Sequence, residues 1–193
     1  MDYIPAVNGA HKAWRASDRC KIHYATLAVK LYAPVPLACT ADIGDEYQHE
    51  PFDWLRRRFV WHLENKLHRR VGVLLVRHIA WKPHFHMALA ALDISEQPLI
   101  DKALRLAAGD WGKKKGERYQ VHIQPLEDVD YWAQYITPDT SGRIPFSMTN
   151  PLRSQAQALH CADLHKSEIT STQTDITDSK QSLVLQGELN TTP

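Results

Sequence analysis

The spacing of apolar residues divides the chain into alternating strand and helix segments. Residues 23–32 are rich in Thr, Val, Leu and Tyr, which predicts a strand, and a loop with two prolines and Gly44 follows. Pro51 then precedes apolar residues that recur at steps of three and four over about 53–69, and this period predicts an amphipathic helix. The compact apolar run 71–78 predicts a buried strand.

A hairpin and three more elements complete the predicted pattern. Pro83 blocks regular pairing and predicts a turn, so residues 84–92 are expected to pair with 71–78 as a second strand. The other elements are bounded by capping and helix-breaking residues: a helix with Ser95 as N-cap and Pro98 in its first turn, a strand over 119–124, and a short helix capped by Asp128 or Asp130 and ended by Pro138.

The predicted order is strand, helix, strand, strand, helix, strand, helix. This is the split β-α-β order of ferredoxin-like folds, so we expect an α+β protein with an antiparallel sheet and helices on one face. We expect residues 1–20 to be a loosely ordered lead-in and 21–150 to form the folded domain. The chain becomes polar from about 140, and we interpret 151–193 as a polar, disordered tail, above all over roughly 166–193.

Composition limits the class of protein. With 193 residues, 44% of them hydrophobic, the chain can bury a real core, and its net charge of +1 argues against a generic polyanion binder. Three cysteines without a CxxC pair argue against a disulfide framework or a thiolate zinc site. No signal pattern or apolar run long enough for a membrane span is found, so we expect a cytoplasmic protein without a membrane partner.

His84 and His86 are the first candidates for chemistry. Residues two apart on a strand point to the same face, so these imidazoles can share a metal ion while Phe85 points into the core. His78 ends the preceding strand, and a hairpin would bring it beside His84 as a third ligand, with His122 a weaker fourth candidate. Without a metal, the same residues would be histidines on an exposed sheet face or at a hairpin edge.

Tyr131 and Tyr135 are the second candidates, as nucleophiles. Four residues apart on a helix, they share one face, where they either pack on the sheet or face the metal site. A tyrosine hydroxyl has a pKa near 10, so it needs help to attack phosphorus at neutral pH, and a metal bound to the phosphate would supply it. Attack would leave a phosphotyrosine link on one DNA end and a free hydroxyl on the other.

The motifs HFH at 84–86 and YWAQY at 131–135 resemble those of the HUH endonuclease superfamily, in particular its two-tyrosine rolling-circle replication initiators of phages and plasmids. The resemblance covers about 22–138 and includes the order of elements. It implies sequence-specific, metal-dependent nicking and joining of single-stranded DNA that starts replication of a phage, plasmid or mobile element. It also implies Mg²⁺ or Mn²⁺ held by His84 and His86, with Tyr131 and Tyr135 as nucleophiles.

Two departures from the family pattern concern the site. Members commonly carry a lysine between or just after the tyrosines, where this chain has Gln134 and Pro138, so a cation that could stabilise the phenolate is missing. Many members also have an acidic ligand on the preceding strand, where this chain has Arg77 and His78. A histidine in place of a carboxylate favours manganese over magnesium. Aligning the family's YxxK with 135–138 would make Tyr135 the primary nucleophile.

Aromatic and basic residues near the predicted site suggest contacts with single-stranded DNA. Trp81 and Lys82, in the turn beside the HFH strand, are the first candidates, followed by Lys113 and Lys114. Basic clusters at 56–58 and 68–70 can contact phosphates or lie on solvated helix faces. The chain has no GxxxxGK[ST] motif, so a helicase would have to come from the host.

Three functions remain open on the sequence alone. The first is the nicking and strand-transferring enzyme. The second is a non-catalytic nucleic-acid-binding protein derived from a decayed initiator, which the missing lysine favours. The third is a hydrolase that uses metal-bound water, with structural tyrosines.

Overall fold

Five antiparallel strands form one sheet in the order β4-β1-β3-β2-β5. In the computed structural model they are β1 (Val35–Asp42), β2 (Val73–His78), β3 (His84–Ala91), β4 (Val121–Pro125) and β5 (Phe146–Met148). The helices are α1 (Asp18–Tyr32), α2 (Phe52–Leu67), α3 (Gln97–Ala108), α4 (Val129–Ile136) and a fifth over 150–166. The structure describes Trp14 and residues 16–78, 83–109, 119–137 and 144–166.

The topology confirms the predicted α+β fold. From β1 to β4 the chain runs strand, helix, strand, strand, helix, strand, and the sheet order 4-1-3-2 is compatible with a ferredoxin-like arrangement. β2 and β3 form the predicted hairpin, with His78 opposite His84. β5 extends the sheet by pairing with β2, so β3 lies in the middle of five strands.

The first predicted strand was wrong. Residues 23–32 lie in α1, and β1 occupies part of the segment that was predicted as a loop. The helix begins at Ser17, whose hydroxyl accepts a hydrogen bond from the Cys20 amide, and it buries Ile22, Ala25, Thr26, Ala28 and Val29. This spacing of three and four residues is helical, and it outweighs the strand preference of individual Thr, Val and Tyr residues, which depends strongly on context.

Capping decides where the later helices begin. Asp93, not the predicted Ser95, caps the turn before α3, since its carboxylate accepts a hydrogen bond from the Ser95 amide. The predicted cap of α4 is confirmed, because Asp128 accepts from the Tyr131 amide at 2.9 Å. This cap fixes the register of α4, and so the direction in which Tyr131 and Tyr135 project.

The apolar core lies on the face of the sheet that α2 and α3 cover. Phe85, Met87 and Leu89 of β3 point into it and are fully buried. Phe85 packs against Phe59 of α2, with ring centroids 4.8 Å apart. The other members are apolar residues of β1, β2, α2 and α3, among them Leu37, Cys39, Leu55, Leu63, Leu75, Ile100 and Leu104.

The opposite face carries the alternate residues of the same strands. α4 packs there, with Trp132 against His86 of β3, and α1 packs against both α4 and the sheet. α2 and α3 thus share one face, as predicted, and α1 and α4 lie on the other. The sequence pattern predicted α4 but not α1, which completes this second layer.

Contacts along the chain define two units, Met1–Gln157 and Ala158–Pro193. The first unit contains the sheet and α1–α4. Its last residues are helical, and two of them, Leu152 and Ala156, are buried. In the second, residues 158–166 are helical and 167–193 lie outside the described residues. The predicted domain boundaries stay predictions. No helix in the described part of the chain is long and apolar enough to cross a membrane.

Candidate metal centre

Strand register brings His78, His84 and His86 together. His78 of β2 lies directly opposite His84 of β3, and His86 lies one pleat further along the same face. The three ring centroids form a nearly equilateral triangle, with separations of 4.6, 4.7 and 5.1 Å. The candidate ligand atoms lie within 4.8 Å of one another, so the group can bind a metal ion.

The distance between two of the nitrogens fits a shared ion. Nε2 of His84 lies 3.1 Å from Nε2 of His86. Two nitrogens that each lie about 2.1 Å from one ion are about 3.0 Å apart at a right angle and about 3.4 Å apart at a tetrahedral angle. The observed separation is therefore close to that of neighbouring ligands around a six-coordinate ion.

Burial keeps the imidazoles of His78 and His86 neutral. It lowers the pKa of His86 to about 3, with a further contribution from the nearby His78 and His84. Burial also lowers the pKa of His78, although the hydrogen bond to Ile136 opposes this, and His84 lowers it further. A neutral imidazole keeps one nitrogen lone pair for a metal ion, so these rings are in the state that coordination requires.

Two hydrogen bonds fix the orientation of the rings. Oγ1 of Thr40 on β1 lies 3.2 Å from Nδ1 of His86. Nε2 of His78 lies 2.9 Å from the carbonyl oxygen of Ile136, which is the last residue of α4. Because a carbonyl only accepts, His78 donates this bond, and the histidine group is thereby joined to the helix that carries the tyrosines.

The two tyrosines lie beside the histidine group. The ring of Tyr135 is 5.0 Å from that of His86, and Tyr131 stacks on Tyr135 at 6.2 Å with nearly parallel planes. Tyr131 is 66% exposed and Tyr135 is 53% exposed, so both are accessible from solvent. Helix spacing and the Asp128 cap put both side chains on one face, and Tyr135 is the one against His86.

Trp132 belongs to the wall of this site. It is buried and packs against both His86 and Tyr135. Its indole N–H is buried and has no hydrogen-bond partner among the described residues. Trp132 therefore packs against the rings of His86 and Tyr135 inside the fold and does not present an exposed surface to DNA.

β1 adds two polar residues that the sequence analysis missed. Thr40 lies opposite His86, and Asp42 lies opposite His84, on the same face of the sheet. The alternation of Leu37, Cys39 and Ala41 with smaller or polar residues was a signal that this segment is a strand. The two prolines near the start of this segment led instead to the prediction of a loop.

The other predicted site residues lie outside the group. His122 is on the same face, but it is exposed and hydrogen-bonded to Gln124. Trp81, Lys82, Lys113 and Lys114 lie outside the described residues, so their predicted contacts with DNA stay predictions.

Two arginines of the basic clusters have structural partners. Arg58 donates to the carbonyls of Leu106 and Ala107 at the end of α3, and its guanidinium lies over the Tyr47 ring. Arg69 forms a two-point ion pair with Glu96. These contacts stabilise the helix layer and do not point to bound phosphate.

Comparisons with known proteins identify no family for this chain. No protein-family model matches the sequence, and no curated protein matches it. The resemblance to HUH endonucleases therefore depends on the motifs at 84–86 and 131–135. What the described residues define is a three-histidine group that can bind a metal ion, with two exposed tyrosines beside it.

Proposed function

We propose that this protein is a metal-dependent enzyme that nicks and rejoins single-stranded DNA through a phosphotyrosine intermediate, as an HUH-type initiator of rolling-circle replication does. The observation that carries the proposal is the 5.0 Å approach of Tyr135 to His86 within the three-histidine group. A nucleophile and a metal site must meet at one phosphate for this chemistry, and residues from β2, β3 and α4 converge here.

Manganese or magnesium is the proposed ion. His78, His84 and His86 would hold it, leaving positions on the solvent side for phosphate oxygens. Three imidazoles without a carboxylate favour Mn²⁺ over Mg²⁺, since magnesium prefers oxygen ligands. When bound, the ion would neutralise charge on the scissile phosphate and stabilise the departing oxygen.

Tyr135 is the proposed first nucleophile. Its hydroxyl oxygen forms a bond to phosphorus and loses its proton to solvent, which reaches this half-exposed side chain. The bond between phosphorus and one deoxyribose oxygen breaks, and that oxygen takes up a proton. The number of phosphoester bonds is unchanged, so the linkage can be passed back to a DNA hydroxyl to rejoin the strand.

Tyr131 is the proposed second nucleophile. Its ring stacks on Tyr135 one helical turn away and is more exposed. Two hydroxyls on one helix face allow one tyrosine to hold a DNA end while the other attacks a second phosphate. A single-stranded substrate suits this site because an extended strand can reach side chains on a helix surface, and a host helicase would supply such a strand.

Trapping the covalent intermediate tests the proposal. The protein is incubated with Mn²⁺ and a labelled pool of random single-stranded oligonucleotides, and adducts are resolved on a denaturing gel and sequenced. We expect a protein–DNA adduct that EDTA prevents. Tyr135→Phe should lower its formation by at least about 1,000-fold, because the phenyl ring has no nucleophilic oxygen. Tyr131→Phe, the matched control, should keep the first adduct.

Other outcomes would replace the proposal. Cleavage without an adduct would indicate a hydrolase that uses metal-bound water. Binding without cleavage would indicate a non-catalytic nucleic-acid-binding protein. An adduct lost in Tyr131→Phe and kept in Tyr135→Phe would exchange the two tyrosine roles.

A further inference from the structure

The hydrogen bonds around the three histidines limit which ring nitrogen of each can face an ion. A neutral imidazole bound to a metal through one nitrogen carries its only proton on the other. His78 donates a hydrogen bond from Nε2 to the Ile136 carbonyl. Its Nδ1 is therefore the nitrogen whose lone pair can bind an ion. His84 and His86 face each other through Nε2, so Nδ1 of His86 must carry the proton when Nε2 binds an ion.

That proton needs an acceptor inside the fold. His86 is only 2% exposed, so water is a poor substitute for a protein partner. Oγ1 of Thr40, at 3.2 Å, is the partner of Nδ1. It comes from β1, which pairs with β3 so that Thr40 and His86 lie directly opposite each other. A threonine hydroxyl accepts as readily as it donates, so it can serve the metal-bound tautomer.

We infer that Thr40 is a positioning residue of the metal centre: its hydroxyl accepts the Nδ1 proton of His86 and so directs Nε2 of that ring to the ion, next to Nε2 of His84 and Nδ1 of His78. This inference rests on the proposed metal centre and assigns its ligand atoms. Partners of this kind orient a coordinating histidine and raise its basicity, and their loss typically lowers metal affinity by about 10–100-fold.

Replacing the hydroxyl by a methyl group tests the role of Thr40. Titration calorimetry with MnCl₂ on the full chain should show Thr40→Val binding Mn²⁺ about 10–100-fold more weakly than wild type. Thr40→Ser, which keeps the hydroxyl, should stay within about threefold of wild type. Thr26→Val is the control, because Thr26 is a fully buried threonine whose hydroxyl donates within α1 to Ile22, and the Mn²⁺ affinity of this variant should not change.

The ring protons give a second, independent measurement. In long-range ¹H–¹⁵N spectra of the protein loaded with diamagnetic Zn²⁺, His86 should carry its proton on Nδ1 and His78 on Nε2. A proton on Nε2 of His86, or coordination of His78 through Nε2, would overturn the assignment. This measurement needs no DNA and does not depend on catalysis.

The two proposals fail in different ways. Unchanged Mn²⁺ affinity in a folded Thr40→Val protein, or an equal loss in Thr26→Val, would overturn the role of Thr40 even if DNA nicking is observed. Wild-type protein that binds neither Mn²⁺ nor Zn²⁺ would overturn it as well. A protein that binds Mn²⁺ as described but forms no DNA adduct would leave Thr40 supported and remove the proposed nicking activity.

Discussion

The two faces of the sheet differ in what their residues do, although the same strands supply both. On the face covered by α2 and α3, β3 contributes Phe85, Met87 and Leu89, all fully buried among apolar side chains. His86, which follows Phe85 in β3, lies on the opposite face. It is buried almost as deeply, but its neighbours are His78, Thr40 and Tyr135.

This difference shows that burial alone does not distinguish core from candidate site. A buried polar group is costly unless it is hydrogen-bonded, so a fold retains a cluster of neutral histidines only where partners are available. Here β1 and the end of α4 provide them. Three measurements test whether the two faces have different roles.

Substitutions at two adjacent positions of β3 should separate stability from metal binding. Phe85→Ala removes a fully buried ring that contacts Phe59, and it should lower the free energy of unfolding by about 3–5 kcal/mol. His86→Leu replaces a buried ring with an apolar side chain of similar size and should change it by less than about 1.5 kcal/mol. Urea unfolding without added metal measures both. Equal losses would mean that the two faces are the same kind of core.

Removing one ligand should abolish tight metal binding. His84→Ala should weaken Mn²⁺ binding by more than about 100-fold, since loss of a ligand exceeds the effect of losing its hydrogen-bond partner. Mn²⁺ should raise the melting temperature of wild type, and it should not raise that of His84→Ala. His122→Ala is the control, because His122 lies on the same face but outside the group. A similar loss in both variants would show that the ion binds elsewhere.

An ion pair near the far end of β3 should contribute stability without any role in metal binding. Two nitrogens of Arg69 donate to Glu96 at 2.6 and 3.1 Å, and the Leu92 amide also donates to this carboxylate. The hydrogen bonds from Arg69 lower the pKa of Glu96 below its ordinary value of 4.5. A lowered folded-state pKa means that the stabilisation is present above pH 4.5 and is lost as the pH falls through the folded value.

Glu96→Gln tests this ion pair. At pH 7 it should lower the free energy of unfolding by about 1–3 kcal/mol, and the difference from wild type should shrink as the pH is lowered toward 3.5. Mn²⁺ affinity should not change. Glu127→Gln, at an exposed carboxylate, should change stability by less than about 0.5 kcal/mol. A difference from wild type that grows on acidification would contradict the assignment.

The local geometry of the candidate site could be predicted from short-range patterns in the amino-acid sequence. Period two on a strand placed His84 and His86 on one face with Phe85 on the other, and period three to four placed Tyr131 beside Tyr135. The hairpin around Pro83 was enough to predict that His78 joins His84. These relations span few residues, so backbone periodicity and one hairpin are enough to predict them.

The more distant residues that complete this geometry could be identified only from the folded structure. Thr40 and His86 are separated by 46 positions, and His78 and Ile136 by 58. Such pairs meet through strand register and helix packing, which depend on how the whole core is filled and leave no periodic signal in the sequence. For the same reason the sequence could not show that Tyr135 is the tyrosine that contacts His86.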